Sequence, residues 1–153
     1  MVQDGRMSQH PAEAVSPAGI HHLRLTVTDI ARSKAFYTRL LGREPVIDQS
    51  DAVDEPGVRE DQSRFYGGVV YSFGDQVLGL RPVAPAEDTF SSTRVGLDHV
   101  GLLVASRTDL DKAAERLSAD GVPHGEVTDI GSMLILSVQD PDDINLELCF
   151  PTA

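Results

Sequence analysis

The segments GIHHLRLTV at residues 19–27 and GLDHVGLLV at residues 96–104 repeat one nine-residue pattern. The first copy alternates strictly between apolar and polar positions, which is typical of a strand buried on one face. His22 and His99 occupy the same place in the two copies, on the face opposite the apolar side chains. The repeat therefore indicates two copies of one structural unit, each beginning with a histidine-bearing strand.

Each copy of the pattern is followed by one helical segment and three further strands. The helices are predicted between an N-cap at Thr28-Asp29 and Gly42, and between an N-cap within residues 106–108 and Gly121. The further strands are predicted at 45–48, 67–73 and 76–80 in the first half and at 125–128, 133–138 and 144–150 in the second. Each half is thus a βαβββ unit, which predicts an α+β fold of two such modules.

The predicted organisation is a short tail followed by one domain. Residues 1–17 lack an apolar period and are expected to form a flexible N-terminal tail. Residues 18–150 form the domain, with module one at 18–82, a linker at 83–94 and module two at 95–150.

Composition limits the partners. A net charge of −11 argues against nucleic acid and anionic membranes as partners, because both require a basic surface. The sequence shows no membrane-spanning run and no secretory signal, and its single cysteine cannot form an internal disulfide, so a cytoplasmic protein is expected. The acidic segment 49–66 is predicted to be a solvated, mobile loop at the mouth of a cavity.

The last predicted strand places a carboxylate on the face that bears the histidines. Glu147 alternates with apolar residues, and a carboxylate there is costly unless it is paired or bound to a cation. His22, His99 and Glu147 together form a 2-His-1-carboxylate set, which suits a divalent metal such as iron, manganese, zinc, nickel or cobalt. The alternatives are hydrogen-bonded histidines at strand ends, and an ion pair between Glu147 and an arginine.

Further side chains on the same face are candidate substrate contacts, namely Arg24, Thr26, Tyr71, Arg81 and Asn145. Guanidinium groups bind anionic substrate groups well, although exposed arginines at a rim would show the same pattern. A tyrosine that faces the cavity could donate a proton.

The segments HHLRLTVTDIARSKAFYTRLLG (21–42), LDHVGLLV (97–104) and DPDDINLEL (140–148) resemble the vicinal oxygen chelate superfamily. This superfamily contains glyoxalases, extradiol dioxygenases, fosfomycin-resistance proteins and bleomycin-binding proteins. The resemblance implies a U-shaped, partly closed mixed sheet and the same three metal ligands. It also implies a homodimer in which modules pair within a chain or exchange between chains.

Two positions depart from the family pattern. Gly79 stands where glyoxalase-like members often have a fourth ligand, which disfavours a mechanism that uses a carboxylate base there. Asp143 replaces the usual glycine of the last turn and is expected to adopt a left-handed conformation.

The resemblance implies a metal-dependent enzyme that coordinates an oxygen-bearing small molecule. A lyase, an isomerase, a dioxygenase and a transferase all remain open at this point. The alternative is a protein without catalytic activity that binds a drug or metabolite, as the bleomycin-binding members do.

Overall fold

The computed structural model describes residues 16–152, and most of the predicted tail, residues 1–15, lies outside the described range. The helices are α1 (Ile30–Leu41) and α2 (Arg107–Ala119). The strands are β1 (His22–Thr26), β2 (Ile47–Asp48), β3 (Val69–Phe73), β4 (Gln76–Arg81), β5 (Val100–Leu103), β6 (Thr128–Asp129), β7 (Met133–Gln139) and β8 (Asn145–Pro151). None of the helices in this range is long and apolar enough to cross a membrane.

The strands form two four-stranded mixed sheets with the same topology. Their orders are β1-β4-β3-β2 and β5-β8-β7-β6. The first strand of each module runs parallel to the last, and the remaining pairs are antiparallel. The prediction of an α+β fold built from two βαβββ modules is therefore confirmed.

Capping side chains explain where both helices begin, and a glycine ends α1. Asp29 precedes α1 and accepts a hydrogen bond from the backbone N–H of Arg32 at 3.0 Å, while Gly42 ends the helix with φ +63°. Ser106 precedes α2 and accepts from the backbone N–H of Asp109 at 3.2 Å. These side chains satisfy N–H groups that have no partner within the helix.

Apolar side chains from the two modules merge into one core. Tyr37 of α1 and Leu110 of α2 are both fully buried in it. Tyr37 also donates a hydrogen bond from its hydroxyl to Asp140 Oδ2 at 3.0 Å, and so links the first helix to the second module. Neither His22 nor His99 belongs to this shared core, and both histidines are exposed.

The turn between β7 and β8 connects the second module to the first through side-chain hydrogen bonds. The side chain of Asp142 accepts from the backbone N–H of Thr28 at 2.8 Å, from the hydroxyl of Thr28 at 2.6 Å, and from Arg32 at 2.6 Å. Asp140 closes the turn itself by accepting from the N–H groups of Asp142 and Ile144, both at 2.8 Å. Asp143 has φ +63°, the left-handed conformation predicted from the sequence.

The acidic segment after β2 is more ordered than its composition suggested. It contains three short 3-10 helices, at Ser50–Ala52, Val58–Glu60 and Gln62–Gly67. Ala52 and Val58 are buried, and so anchor the segment on the module. The segment is largely solvent-exposed, as predicted, but its 3-10 helices and two apolar anchors were not predicted, because carboxylates dominate its composition.

Tyr37→Phe is expected to lower the free energy of unfolding by about 1 kcal/mol, since it removes one hydrogen bond to a buried carboxylate that keeps its backbone donors. Urea unfolding followed by circular dichroism measures this loss. Tyr66→Phe is the matched control, because the Tyr66 hydroxyl makes no hydrogen bond to the described residues. Equal losses in the two variants would contradict the assigned role of the Tyr37 hydroxyl.

Candidate functional site

The open face of the second sheet brings two of the predicted metal ligands together. Glu147 of β8 lies opposite Gly101 of β5, and His99 immediately precedes β5. The Nε2 atom of His99 lies 3.5 Å from Oε2 of Glu147. Because Gly101 has no side chain, nothing on β5 separates the imidazole from the carboxylate.

Asp98 orients the imidazole of His99. The Oδ1 atom of Asp98 lies 2.6 Å from Nδ1 of His99, which leaves Nε2 directed toward Glu147. The hydrogen bond with Asp98 is the largest influence and raises the pKa of His99. Partial burial, the next largest, lowers this pKa, and the charge of Glu147 raises it. A carboxylate on the second imidazole nitrogen is the usual companion of a metal-binding histidine. Asp98 was not predicted as a site residue, although its adjacency to His99 in the sequence was a usable signal.

Asn145 lies in the same cleft, as predicted. Its side-chain N–H donates to the backbone carbonyl of Asp98 at 3.4 Å, and its oxygen accepts from Gln139 at 3.1 Å. His124 also lines this cleft, which encloses about 430 Å³. The walls beside the His99–Glu147 pair are therefore polar, and suit a ligand with oxygen or nitrogen atoms.

His22 does not reach this pair within the chain. Residues 16–152 contain no group of three or more His, Cys, Asp or Glu side chains that could hold a metal. The Nδ1 atom of His22 instead lies 3.0 Å from Nδ1 of His21 on the exposed face of β1. The expected triad is thus not assembled within one chain, because equivalent positions on two separate sheets need not converge.

The open face of the first sheet carries positive charge. The guanidinium carbon of Arg81 lies 3.7 Å from the ring centroid of Tyr66, and that of Arg24 lies 5.8 Å from the same ring. Gly79 pairs with Arg24 across the strands and leaves room for its side chain. Tyr66 was not predicted as a site residue, since it lies in the acidic segment outside any predicted strand.

Two other side chains lie away from these groups. Thr26 lines a separate cleft beside Asp142 and Phe90. Tyr71 is fully buried, its hydroxyl lying 3.0 Å from the hydroxyl of Thr38 and donating to the carbonyl of Lys34 at 3.2 Å. The prediction that Tyr71 contacts substrate is therefore wrong, because its side chain packs beneath α1.

The donor chemistry of the second module fits a divalent metal. An imidazole nitrogen held by Asp98 and a carboxylate oxygen on the same open face match the ligands preferred by first-row ions. Cys149 lies on the same strand as Glu147, and burial raises the pKa of its thiol. The pair supplies two protein donors, one fewer than the predicted set.

Known structures share this architecture. A glyoxylase/bleomycin resistance protein/dioxygenase domain from Frankia sp. EAN1pec is 29% identical, with a TM-score of 0.67, over 89% of this chain and 99% of that one. A lactoylglutathione lyase from Agrobacterium tumefaciens is 19% identical, with a TM-score of 0.61, over 88% of this chain and 94% of that one. A fosfomycin resistance protein from Listeria monocytogenes is 16% identical, with a TM-score of 0.63, over 90% of this chain and 96% of that one.

The family comparison covers nearly the whole of the described chain. No curated protein matches the sequence. The model of the Glyoxalase/Bleomycin resistance protein/Dioxygenase superfamily matches residues 19–148, which include both histidine-bearing strands and the strand that carries Glu147. The chain therefore belongs to the glyoxalase/bleomycin resistance protein/dioxygenase superfamily, also called the vicinal oxygen chelate superfamily.

Proposed function

We propose that this protein is a metal-dependent enzyme that acts on an oxygen-bearing small molecule. The observation that supports the proposal is the His99–Glu147 pair, 3.5 Å apart on an open polar face. His99 and Glu147 would hold the metal together with His22. When bound, the ion would supply Lewis-acid chemistry that polarises a substrate oxygen.

Neighbouring side chains have roles that follow from their contacts. Asp98 holds Nδ1 of His99 and so fixes the orientation of Nε2. Asn145 bridges Asp98 and Gln139, and lies where it can bind a polar substrate atom. Gly79 has no side chain, so a general base cannot come from the position equivalent to Glu147.

We propose further that His22 comes from a second copy of the chain. The helices of both modules face one shared core, which leaves the two histidine-bearing faces exposed. Ile20 next to β1 is 78% exposed, and Leu103 on β5 is 76% exposed. Pairing the first module of one chain with the second module of another would bury these side chains and add His22 to the His99–Glu147 pair. A two-fold dimer would then contain two identical composite sites.

The test measures bound metal after loading with Zn²⁺ or Mn²⁺ and desalting. Wild-type protein is expected to retain about one ion per chain, and His22→Ala, His99→Ala and Glu147→Ala are expected to lose it. His21→Ala and His124→Ala are the matched controls, since neither residue belongs to the proposed ligand set.

Mixing two defective variants tests where His22 comes from. A dimer of one His22→Ala chain and one His99→Ala chain would contain one intact composite site and one doubly defective site. After free subunit exchange, an equal mixture is expected to recover about a quarter of the wild-type metal content. No recovery, with exchange verified, would contradict the composite site.

The same measurements separate the enzyme from the alternative function. Within residues 16–152 the proposed site brings together only two of its three donors, which is the observation that favours a metal-free binding protein. Failure of the wild-type protein to retain metal would overturn the proposed enzyme and support binding of a drug or metabolite. Retention of metal in both His99→Ala and Glu147→Ala would show that the metal lies elsewhere.

A further inference from the structure

Two arginines on the open face of the first sheet have no acidic partner among the residues that the structure describes. Arg24 and Arg81 form no ion pair with any carboxylate in residues 16–152. Nearby arginines behave differently, since Arg32 pairs with Asp142 and Arg59 pairs with Asp54. The chain has 24 acidic residues against 13 basic ones, so acidic partners are abundant. Two adjacent arginines without such partners in an acidic chain indicate a binding site for an external anion.

A tyrosine ring organises the two guanidinium groups. The Arg81 group lies 3.7 Å from the ring centroid of Tyr66, within cation–π range, and the Arg24 group lies 5.8 Å from it. The Nε atom of Arg81 is buried and has no hydrogen-bond partner among the described residues. The stacking on Tyr66 thus holds Arg81 in place without using its hydrogen-bonding capacity.

The backbone around Tyr66 is strained in a way that holds this ring in position. Phe65, Tyr66 and Gly67 have φ values of +50°, +59° and +74°, and two of the three are aromatic residues for which this region is unfavourable. Gly67 packs closely against Val53, and Gly68 packs against the carbonyl of Leu80. The ring position is therefore enforced by its surroundings.

Arg81 and Tyr66 open onto a cleft. They line a space of about 620 Å³ together with Arg59 and Glu60. Neither Arg59 nor Arg81 pairs with Glu60 within 4.0 Å. A small ligand could therefore reach Arg81 without first breaking an ion pair to Glu60.

The two modules carry opposite charges at equivalent cross-strand pairs. Arg24 lies opposite Gly79 in the first module, whereas Gly101 lies opposite Glu147 in the second. A Cβ atom on Gly79 would lie 3.3 Å from Nε of Arg24, so an alanine there would push the Arg24 side chain aside by a few tenths of an ångström. The Arg24–Gly79 pair of the first module thus carries a positive charge, where the equivalent Gly101–Glu147 pair of the second module carries a negative one.

We propose that Arg24 and Arg81, held on the ring of Tyr66, bind a carboxylate or phosphate group of the substrate. Arg24 lies on the same face of β1 as His22, two residues along the strand, so the anion would be held close to the proposed metal site. The assignment of this anion to a substrate rests on the proposed function, whereas the anion site itself consists of residues of one module. The substrate class is an oxyanion with a second oxygen group for the metal.

The test titrates metal-free protein with inorganic phosphate, and separately with acetate, at constant ionic strength. The chain has no tryptophan, and Tyr37 and Tyr71 are buried, so NMR signals of the Tyr66 ring report on the cluster. The buried Nε–H of Arg81 provides a second signal. Saturable shifts of both are expected with at least one anion, and the anion that binds more tightly identifies the substrate group.

Three variants and one control locate the binding. Arg81→Gln and Arg24→Gln are expected to weaken binding about tenfold or more, because each removes a charge-assisted hydrogen-bond donor. Gly79→Ala should also weaken it without removing charge, since the added methyl group displaces the Arg24 side chain. Arg43→Gln is the matched control, because Arg43 likewise stacks on an aromatic ring, 4.8 Å from that of Phe73, outside the cluster.

Two results would overturn the inference. One is the absence of saturable binding of either anion to the wild-type protein, and the other is equal weakening by Arg43→Gln and Arg81→Gln. Metal retention is measured separately, so the two proposals fail independently. Anion binding without metal retention would overturn the enzyme and leave the anion site, whereas metal retention without anion binding would overturn the anion site alone.

Discussion

Gly68→Ala is expected to destabilise the fold by about 3 kcal/mol, at the upper end of the usual cost of overpacking. A Cβ atom at Gly68 would lie 2.0 Å from the carbonyl oxygen of Leu80 and 3.0 Å from that of Phe65. Both are backbone atoms, so no side-chain rotation relieves the clash. Leu80 pairs with Val69 between β3 and β4, and the required shift would strain the centre of the first sheet.

Urea unfolding followed by circular dichroism measures the effect of Gly68→Ala. Gly125→Ala is the matched control, because its added Cβ would meet only the Cβ of Ser137, at an ordinary contact distance of 3.8 Å. The control is expected to change stability by no more than about 0.5 kcal/mol. Similar stability of the two variants would contradict the close backbone approach at Gly68.

Asp142→Ala is expected to lower the free energy of unfolding by about 3 kcal/mol. The buried carboxylate accepts two hydrogen bonds from Thr28 and one from Arg32, and alanine would leave the N–H and hydroxyl of Thr28 without these acceptors. The contact joins the two modules, so its loss should also reduce the cooperativity of their unfolding. Urea titrations monitored separately by circular dichroism and by NMR would detect both effects.

Asp111→Ala is the matched control for Asp142→Ala. It also removes a carboxylate, but one in an exposed ion pair, in which Oδ2 of Asp111 lies 3.9 Å from Nε of Arg107. Exposed pairs of this kind contribute little to stability, so no measurable loss is expected. If Asp142→Ala unfolds at the same urea concentration as the control, the turn does not fasten the modules together.

The secondary structure could be predicted from local signals in the sequence. The caps Asp29 and Ser106 act on the next few residues, so their effect is visible without knowing the fold. The left-handed conformation of Asp143 was expected from the resemblance, because family members usually have glycine at this position of the turn. The duplicated strand pattern predicted the two modules, because each copy had to bury one apolar face against its own helix.

The candidate site could be predicted only in part. Glu147 lies in β8 and His99 immediately precedes the neighbouring strand β5, so strand alternation was enough to place them on one face. Tyr71 was misplaced, because its strand is buried on both faces and alternation there does not distinguish the core from a cavity. Tyr66 lies in an irregular segment whose conformation depends on contacts with Val53 and Leu80, which no periodic pattern reveals.

The sequence by itself determined the α+β class, the two βαβββ modules and the face on which each histidine lies. These features depend on periodicity, capping and turn chemistry, which act over a few residues. Only the tertiary structure decided that His99 meets Glu147 while His22 lies elsewhere, and that Arg24 and Arg81 share the ring of Tyr66. Those contacts join segments distant in the chain, and they depend on how the apolar faces of the two modules pack into one core.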